Sequence, residues 1–328
     1  MKLKQCLIVS LLALGMLWSC TINEVDERAE IEDAILALIA ADDSTYGIDG
    51  MEDVDETDLS LGKLPVIQQS GSSDRVNVVM DSSYIWRFGR SGMSSEREVT
   101  VEVEDDSSAI ALITQQITGT FHARQFVRVW IDERSWERGD SVRFSEKDID
   151  MSVNRRVAFR KRMLPNGDER WVAIAMTLAY GTSGDALDIL SLEWVAEDST
   201  RVLSDFDQVF YGRGNPLAFA MFGANQIDVI VSNDVADEAE AVIGRLGFHP
   251  RLNGPDLRNR IHFQYVETLE SGDKVYSRSI PPVHRPLRHF KGFVEVLDYR
   301  TLFDHDHVDY TAATVGFVYT MRRHIRPS

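Results

Sequence analysis

In the stretch Val99-Thr100-Val101-Glu102-Val103-Glu104-Asp105-Asp106-Ser107, three valines alternate with polar residues until a cluster of turn-forming side chains interrupts them. Alternation with a period of two puts the valines on one face of a strand, and Asp-Asp-Ser supplies side chains that cap a tight reversal. Ala109 to Thr120 then continues as the returning strand, so the segment reads as an antiparallel hairpin. Working outward, a second hairpin joins Arg155–Arg162 to Arg170–Leu178 through Pro165-Asn166-Gly167-Asp168, whose Asn-Gly pair favours a type I′ turn. Leu187 to Trp194 forms a further apolar strand, and Ala196 to Gly214 reads as a connector.

On the N-terminal side the period changes. Ile31, Ile35, Leu38 and Ile39 fall at i, i+4, i+7 and i+8, which places one apolar stripe on a helix from about Asp26 to Ala41. Residues 42–74 follow as an acidic, glycine-containing loop. On the C-terminal side Ile227–Val231, Ile261–Val266, Lys274–Ser279, Phe293–Tyr299 and Thr314–Met321 are short strand-like runs separated by turn residues. Asp234 to Gly247 fits either a short helix or a strand. Pro281, Pro282 and Pro286 confine their surroundings to an edge or loop.

The chain opens Met1-Lys2-Leu3-Lys4, runs almost wholly apolar from Cys6 to Trp18 and reaches Ser19-Cys20. This is too short to cross a bilayer, which takes about 20 residues, and it has the basic, apolar and small-residue regions of a cleaved leader. Leu17, Ser19 and Cys20 resemble the lipobox of bacterial lipoprotein signals, although Trp18 is bulkier than the pattern usually carries. The resemblance implies removal of residues 1–19, acylation of Cys20, and a lipid-anchored protein of the cell envelope, at the periplasmic face of the outer membrane. Ordinary secretion is the alternative. Cys6 and Cys20 are the only cysteines, so cleavage and acylation would leave no thiol for a disulfide, a zinc site or a nucleophile.

The formal charge is −17. Such a surface repels phosphate backbones, and argues against nucleic acid as a partner and against membrane attachment through a basic patch. The excess is uneven: residues 20–200 hold 36 acids against 18 bases, and residues 201–328 hold 16 against 15. That asymmetry, with the change from long hairpins to short strands, leads to an expectation of two domains.

The helix, followed by Val99–Glu104, Ile117–Phe121, Arg156–Arg160 and Gly167–Ile174 with Trp171 opening a strand, resembles the nuclear transport factor 2-like family. The resemblance implies an α+β, cystatin-like fold over 28–195, a helix on a curved antiparallel sheet, behind a tether at 20–27. Tyr310 to Tyr319 resembles the late strands of immunoglobulin-like domains, where a tyrosine marks a corner. It implies an all-β sandwich over 225–328, after a connector at 196–224.

Enzymes of the cystatin-like class hold an acid or histidine inside the cone of the sheet. Asp81, Tyr84 and His122 are the residues here placed to reach such a pocket, with Asp81 a base; a histidine beside Phe121 is more often a hydrogen-bonded structural group. In Asp304-His305-Asp306-His307, an extended chain points both imidazoles one way, but the spacing supplies no third ligand, so a solvated loop outweighs a metal site. The acidic run Asp49–Asp58 fails as a calcium loop: counted from Asp53, position six is Asp58 instead of glycine and position twelve is Leu64 instead of glutamate. No Gly-x-Ser-x-Gly elbow, phosphate loop, dinucleotide fingerprint or His-Glu-x-x-His pattern appears. The expectation is a lipid-anchored, non-catalytic binding or assembly module without a cofactor, its partner a protein or small ligand. The rival is an enzyme or small-ligand receptor of the nuclear transport factor 2-like class with an N-terminal pocket.

Overall fold

The computed structural model describes residues 27–41, 84–132, 135–196, 199–212, 217–220, 225–234, 240–246, 260–280, 289–304, 306 and 309–322. Helix α1 spans 27–41. It is followed by strands β1 (Tyr84–Asp105), β2 (Ser108–Trp130), β3 (Trp136–Met163), β4 (Glu169–Met176), β5 (Ala179–Ser183), β6 (Leu187–Ala196), β7 (Ser199–Leu203), β8 (Tyr211–Gly212) and β9 (Leu217–Ala220). Then come β10 (Asn225–Asn233), β11 (Glu240–Leu246), β12 (Arg260–His262), β13 (Gln264–Thr268), β14 (Lys274–Ile280), β15 (His289–Asp298), the five-residue helix α2 (Tyr299–Phe303) and β16 (Ala312–Arg322).

The expected hairpin at Val99–Thr120 is present and much longer than its alternation showed. Asp105 pairs with Ser108 across the turn, and the ladder runs back to Tyr84 opposite Val127. The Asp105 carboxylate accepts from the Ser107 hydroxyl and backbone N–H, and those bonds hold its pKa down at about 2. The second hairpin also forms, but its turn is not type I′. Gly167 N–H donates to Leu164 O at 2.9 Å and Gly167 has φ 87°, so Asn-Gly closes a five-residue loop with glycine in the left-handed position. Leu269–Asp273 repeats this solution with Gly272 at φ 94°.

Eleven strands form one antiparallel-dominated sheet in the order β1-β2-β3-β5-β16-β15-β11-β12, with β4 and β8 branching from β3 and β9 pairing in parallel with β16. A five-stranded sheet, β13-β14-β10-β6-β7, lies against it. The large sheet curls back on itself, so β5, β16, β15 and β11 become a middle layer buried on both faces. Val294 and Val296 of β15 pack with Ile227, Val229 and Trp194 of the small sheet, whereas Phe293 and Leu297 pack with Phe121, Ile149 and Phe88 of the long strands. This two-sided burial explains why Phe293–Leu297 and Ala312–Tyr319 read as nearly continuous apolar runs. The tight turn of the sheet needs small residues in β5: a Cβ on Gly181 would lie 2.3 Å from the Ser152 carbonyl oxygen.

These features correct the expected fold class. The chain is not a helix-packed α+β domain followed by a separate sandwich, but a mostly β structure whose described residues contain only the two helices. Helix α1 forms where its stripe indicated, yet Ile31, Ile35 and Ile39 cover only Ala109, Ala111, Ile113, Val157, Phe159 and Trp171, one end of the curled sheet. The remaining inner face is covered by the chain's own C-terminal strands. The Tyr310 hydroxyl donates to Glu295 at 2.9 Å and accepts from Arg90 at 3.0 Å.

Strand pairing also runs across the expected connector. β6 pairs with β10 through nine residue pairs from Asn225↔Ala196 to Asn233↔Leu187, and β7 and β8 within 196–224 join the small and large sheets respectively. A fragment of residues 225–328 would lack β6, β7 and the Leu187, Ile189, Leu192 and Trp194 side chains of its core. Expressed alone, it should show no cooperative thermal unfolding and poor amide dispersion by NMR; a folded fragment with a sharp transition would contradict this pairing.

Candidate functional site

The inner face of the curl is filled. Phe121 stacks between Phe88 and Tyr310 with ring centroids 5.6 and 5.4 Å apart, and all three side chains are buried. Arg90, on the same face, forms a buried ion pair with Glu295. Farther along β3, Lys147 is buried and its Nζ donates to the carbonyl oxygens of Arg300 and Asp304, at 2.5 and 2.9 Å, at the C-terminal end of α2. Burial pushes the Lys147 amine down to about 8, against the opposing pull of the Asp304 and Asp298 carboxylates.

A third buried charge, Glu240, joins the two sheets. It accepts from Lys274 Nζ at 2.6 Å, Tyr276 OH at 2.9 Å and Asn233 Nδ2 at 3.1 Å. Burial and the neighbouring Glu240 charge keep the Tyr276 phenol protonated far above its usual range, and they push Tyr299 up to about 12. Each of these charges has partners that satisfy it, which marks them as fastenings between layers.

His122 lies elsewhere. Phe121 points into the core, so the next residue of β2 faces outward, and His122 is not in the cone where sequence reasoning placed it. Its Nε2 is hydrogen-bonded to Ser91 Oγ. Its Nδ1 lies 3.1 Å from Glu146 Oε1, with the carboxylate off the N–H axis. The ring stacks on Phe144, with centroids 6.0 Å apart and planes 15° apart, and the Arg124 guanidinium sits 4.7 Å from the same Phe144 ring. Register produces this group: His122 is opposite both Gly89 and Glu146, Arg124 is opposite Phe144, and Ser91 is one step along β1, opposite Thr120.

Ser91 opens a β-bulge. The ladder passes from Ser91↔Thr120 to Ser94↔Thr118, leaving Gly92 and Met93 against the single residue Gly119. Gly92 takes φ 59°, and a Cβ on Gly119 would lie 2.5 Å from Met93 Sδ. Ser91 and Glu146 were not singled out in the sequence. The signal that finds them is the register, which cannot be counted without the bulge.

Beyond Val127 the β2–β3 hairpin projects as an arm. Val129, Trp130 and Ile131 are exposed, as are Val142 and Phe144 on the returning strand. Arg128 lies 5.3 Å from the Trp130 ring and Arg138 5.0 Å from the Phe126 ring.

Of the remaining candidates, Tyr84 begins β1 opposite Val127 at the root of this arm, while Asp81, His305, His307 and Cys20 lie outside the described residues. Among the described residues, no group of three His, Cys, Asp or Glu is arranged to hold a metal, and no helix is long and apolar enough to cross a membrane. Comparison with protein-family models, with curated proteins and with solved structures found no match.

The Lys147 geometry carries a pH dependence. A lysine whose folded pKa lies at about 8, below its unfolded value of 10.5, binds fewer protons when folded across that interval. Its contribution to stability therefore rises as pH rises from about 8 and levels off near the unfolded value. Urea unfolding of the wild type against Lys147→Met should show the difference between them changing between pH 7.5 and 9.5. A pH-independent difference would contradict the depressed amine.

Proposed function

We propose that the protein is a lipid-anchored component of a bacterial cell envelope, held by Cys20, that acts as a binding or assembly module through the β2–β3 arm. The observation that carries this reading is the contrast between a filled inner face and an exposed arm. Phe88, Phe121, Tyr310 and the Arg90–Glu295 pair occupy the space that the rival pocket reading requires. The arm instead presents Val129, Trp130 and Ile131 to solvent, with arginines stacked on its rings.

The arrangement along the molecule supports the same role. Six residues separate Cys20 from the start of α1 at residue 27, and α1 packs over Ile113 and its neighbours. From Ile113 to Trp130 the strand covers about 55 Å along its length at about 3.3 Å per residue. Helix α1 and the arm tip therefore belong to opposite ends of the long hairpin. Residues 124–146 contain five arginines and five acids, so the arm is charge-balanced and not a phosphate-binding patch. Aromatic and aliphatic contacts would dominate recognition, as in the buried centre of a protein interface.

Two substitutions in the full-length protein test this reading. Cys20→Ser should abolish incorporation of labelled fatty acid and release the protein from the membrane fraction. A photo-crosslinking residue at Trp130 should give a discrete adduct in intact cells, lost on Val129→Asp with Ile131→Asp, while the same residue at exposed Val266 on β13 should not. Continued acylation of the Cys20 variant, or equal crosslinking at both positions, would contradict the proposal.

A further inference from the structure

We propose that Ser91 is an activated nucleophile for carboxylic esters, with His122 as its general base, on the outer face of the long hairpin. This goes beyond the binding role above and does not depend on lipidation. The arrangement assigns each group a part. Nε2 meets Ser91 Oγ, and with the proton on Nδ1, the nitrogen that faces Glu146 Oε1 at 3.1 Å off the N–H axis, Nε2 is the acceptor for the serine proton. Glu146 and Phe144 are positioning residues, the first through charge and the second by stacking on the ring.

Access and backbone geometry add to the pair. On the β1 side the residue facing His122 is Gly89, which has no side chain of its own to cover the imidazole. The bulge begins just after Ser91, which still pairs with Thr120, and Gly92 and Met93 have no register partner in β2. The site is an open strand face and not a cavity, which suits small activated esters whose acyl group can lie on the exposed Phe144 ring.

The chemistry balances with water alone. Ser91 Oγ attacks the ester carbonyl carbon while its proton passes to His122 Nε2. The carbon–alkoxy bond breaks, and the alcohol leaves with that proton. Water then attacks the acyl-serine, gives a proton to Nε2, and the carboxylic acid departs as Oγ recovers the proton.

A fluorophosphonate probe tests the nucleophile directly, since Oγ displaces fluoride to form a stable phosphonyl-serine. Incubation with the full-length protein should give one adduct, mapped to Ser91 by peptide mass spectrometry and missing from Ser91→Ala. His122→Gln should slow labelling and p-nitrophenyl acetate hydrolysis about 100-fold or more, the range that general-base assistance supplies. Gly119→Ala, which displaces the bulge, should reduce labelling as well, and thermal unfolding checks that each variant is folded. No Ser91 adduct on folded wild-type protein would overturn the proposal. Equal labelling of the wild type and a folded His122→Gln would also overturn it, reducing the pair to an ordinary cross-strand hydrogen bond.

Discussion

Arg90 and Glu295 meet although 205 positions separate them, and they do so inside the protein, with the Tyr310 hydroxyl bonded to both. Desolvating two charges is costly, and only a close pair with additional hydrogen bonds offsets it. The pair is met here with β1 lying over β15 and Phe88 and Phe121 packed in the same cluster as Tyr310. The long strands thus cannot remain an open sheet. Once they fold back, the β16–β15–β11 layer is covered on one face by the curl and on the other by the small sheet. Lys147 at the end of α2 and Glu240 between the two sheets fasten the remaining boundaries in the same way.

Much of the local structure was legible in the sequence and little of the long-range arrangement. The hairpin at Val99–Thr120 could be read because a period of two and a polar turn are local signals. Its extension back to Tyr84 could not, because the inward positions there include Arg90, Arg97 and Gln115, which break the apolar pattern. Arg90 faces the core because Glu295, 205 positions away, receives it, and Gln115 donates there to Ser95 on the paired strand. The α+β assignment failed for a related cause: the stripe Ile31, Ile35, Ile39 identifies a helix and its buried face, but not how much of a sheet that helix covers. The second sheet draws β6 from before the expected connector, β7 from within it and β10 from after it, a pairing that charge distribution, being a surface property, does not reveal.

The candidate site shows the same division. Alternation alone places Phe121 and His122 on opposite faces, so the outward direction of His122 was available once Phe121 was assigned to the core. Its partner Ser91 depends on a bulge at Gly92 and Met93, and a one-residue shift there changes which side chains share a face. The outer face carries the Ser91–His122 contact, while the inner face carries the Arg90–Glu295 pair. The Ser91–His122 contact and the exposed arm follow one another along a single long hairpin.

The claim that the buried triple contact holds the fold-back is tested most directly by denaturant unfolding of three proteins: wild type, Glu295→Leu, and the combined Arg90→Met, Glu295→Leu, Tyr310→Phe. Removing one partner leaves a buried charge unpaired, so Glu295→Leu should lose about 3–5 kcal/mol, whereas replacing the whole set with apolar groups should restore most of that loss. A single-variant cost below about 1 kcal/mol, the size of an exposed ion pair, or a triple variant less stable than Glu295→Leu, would contradict the account.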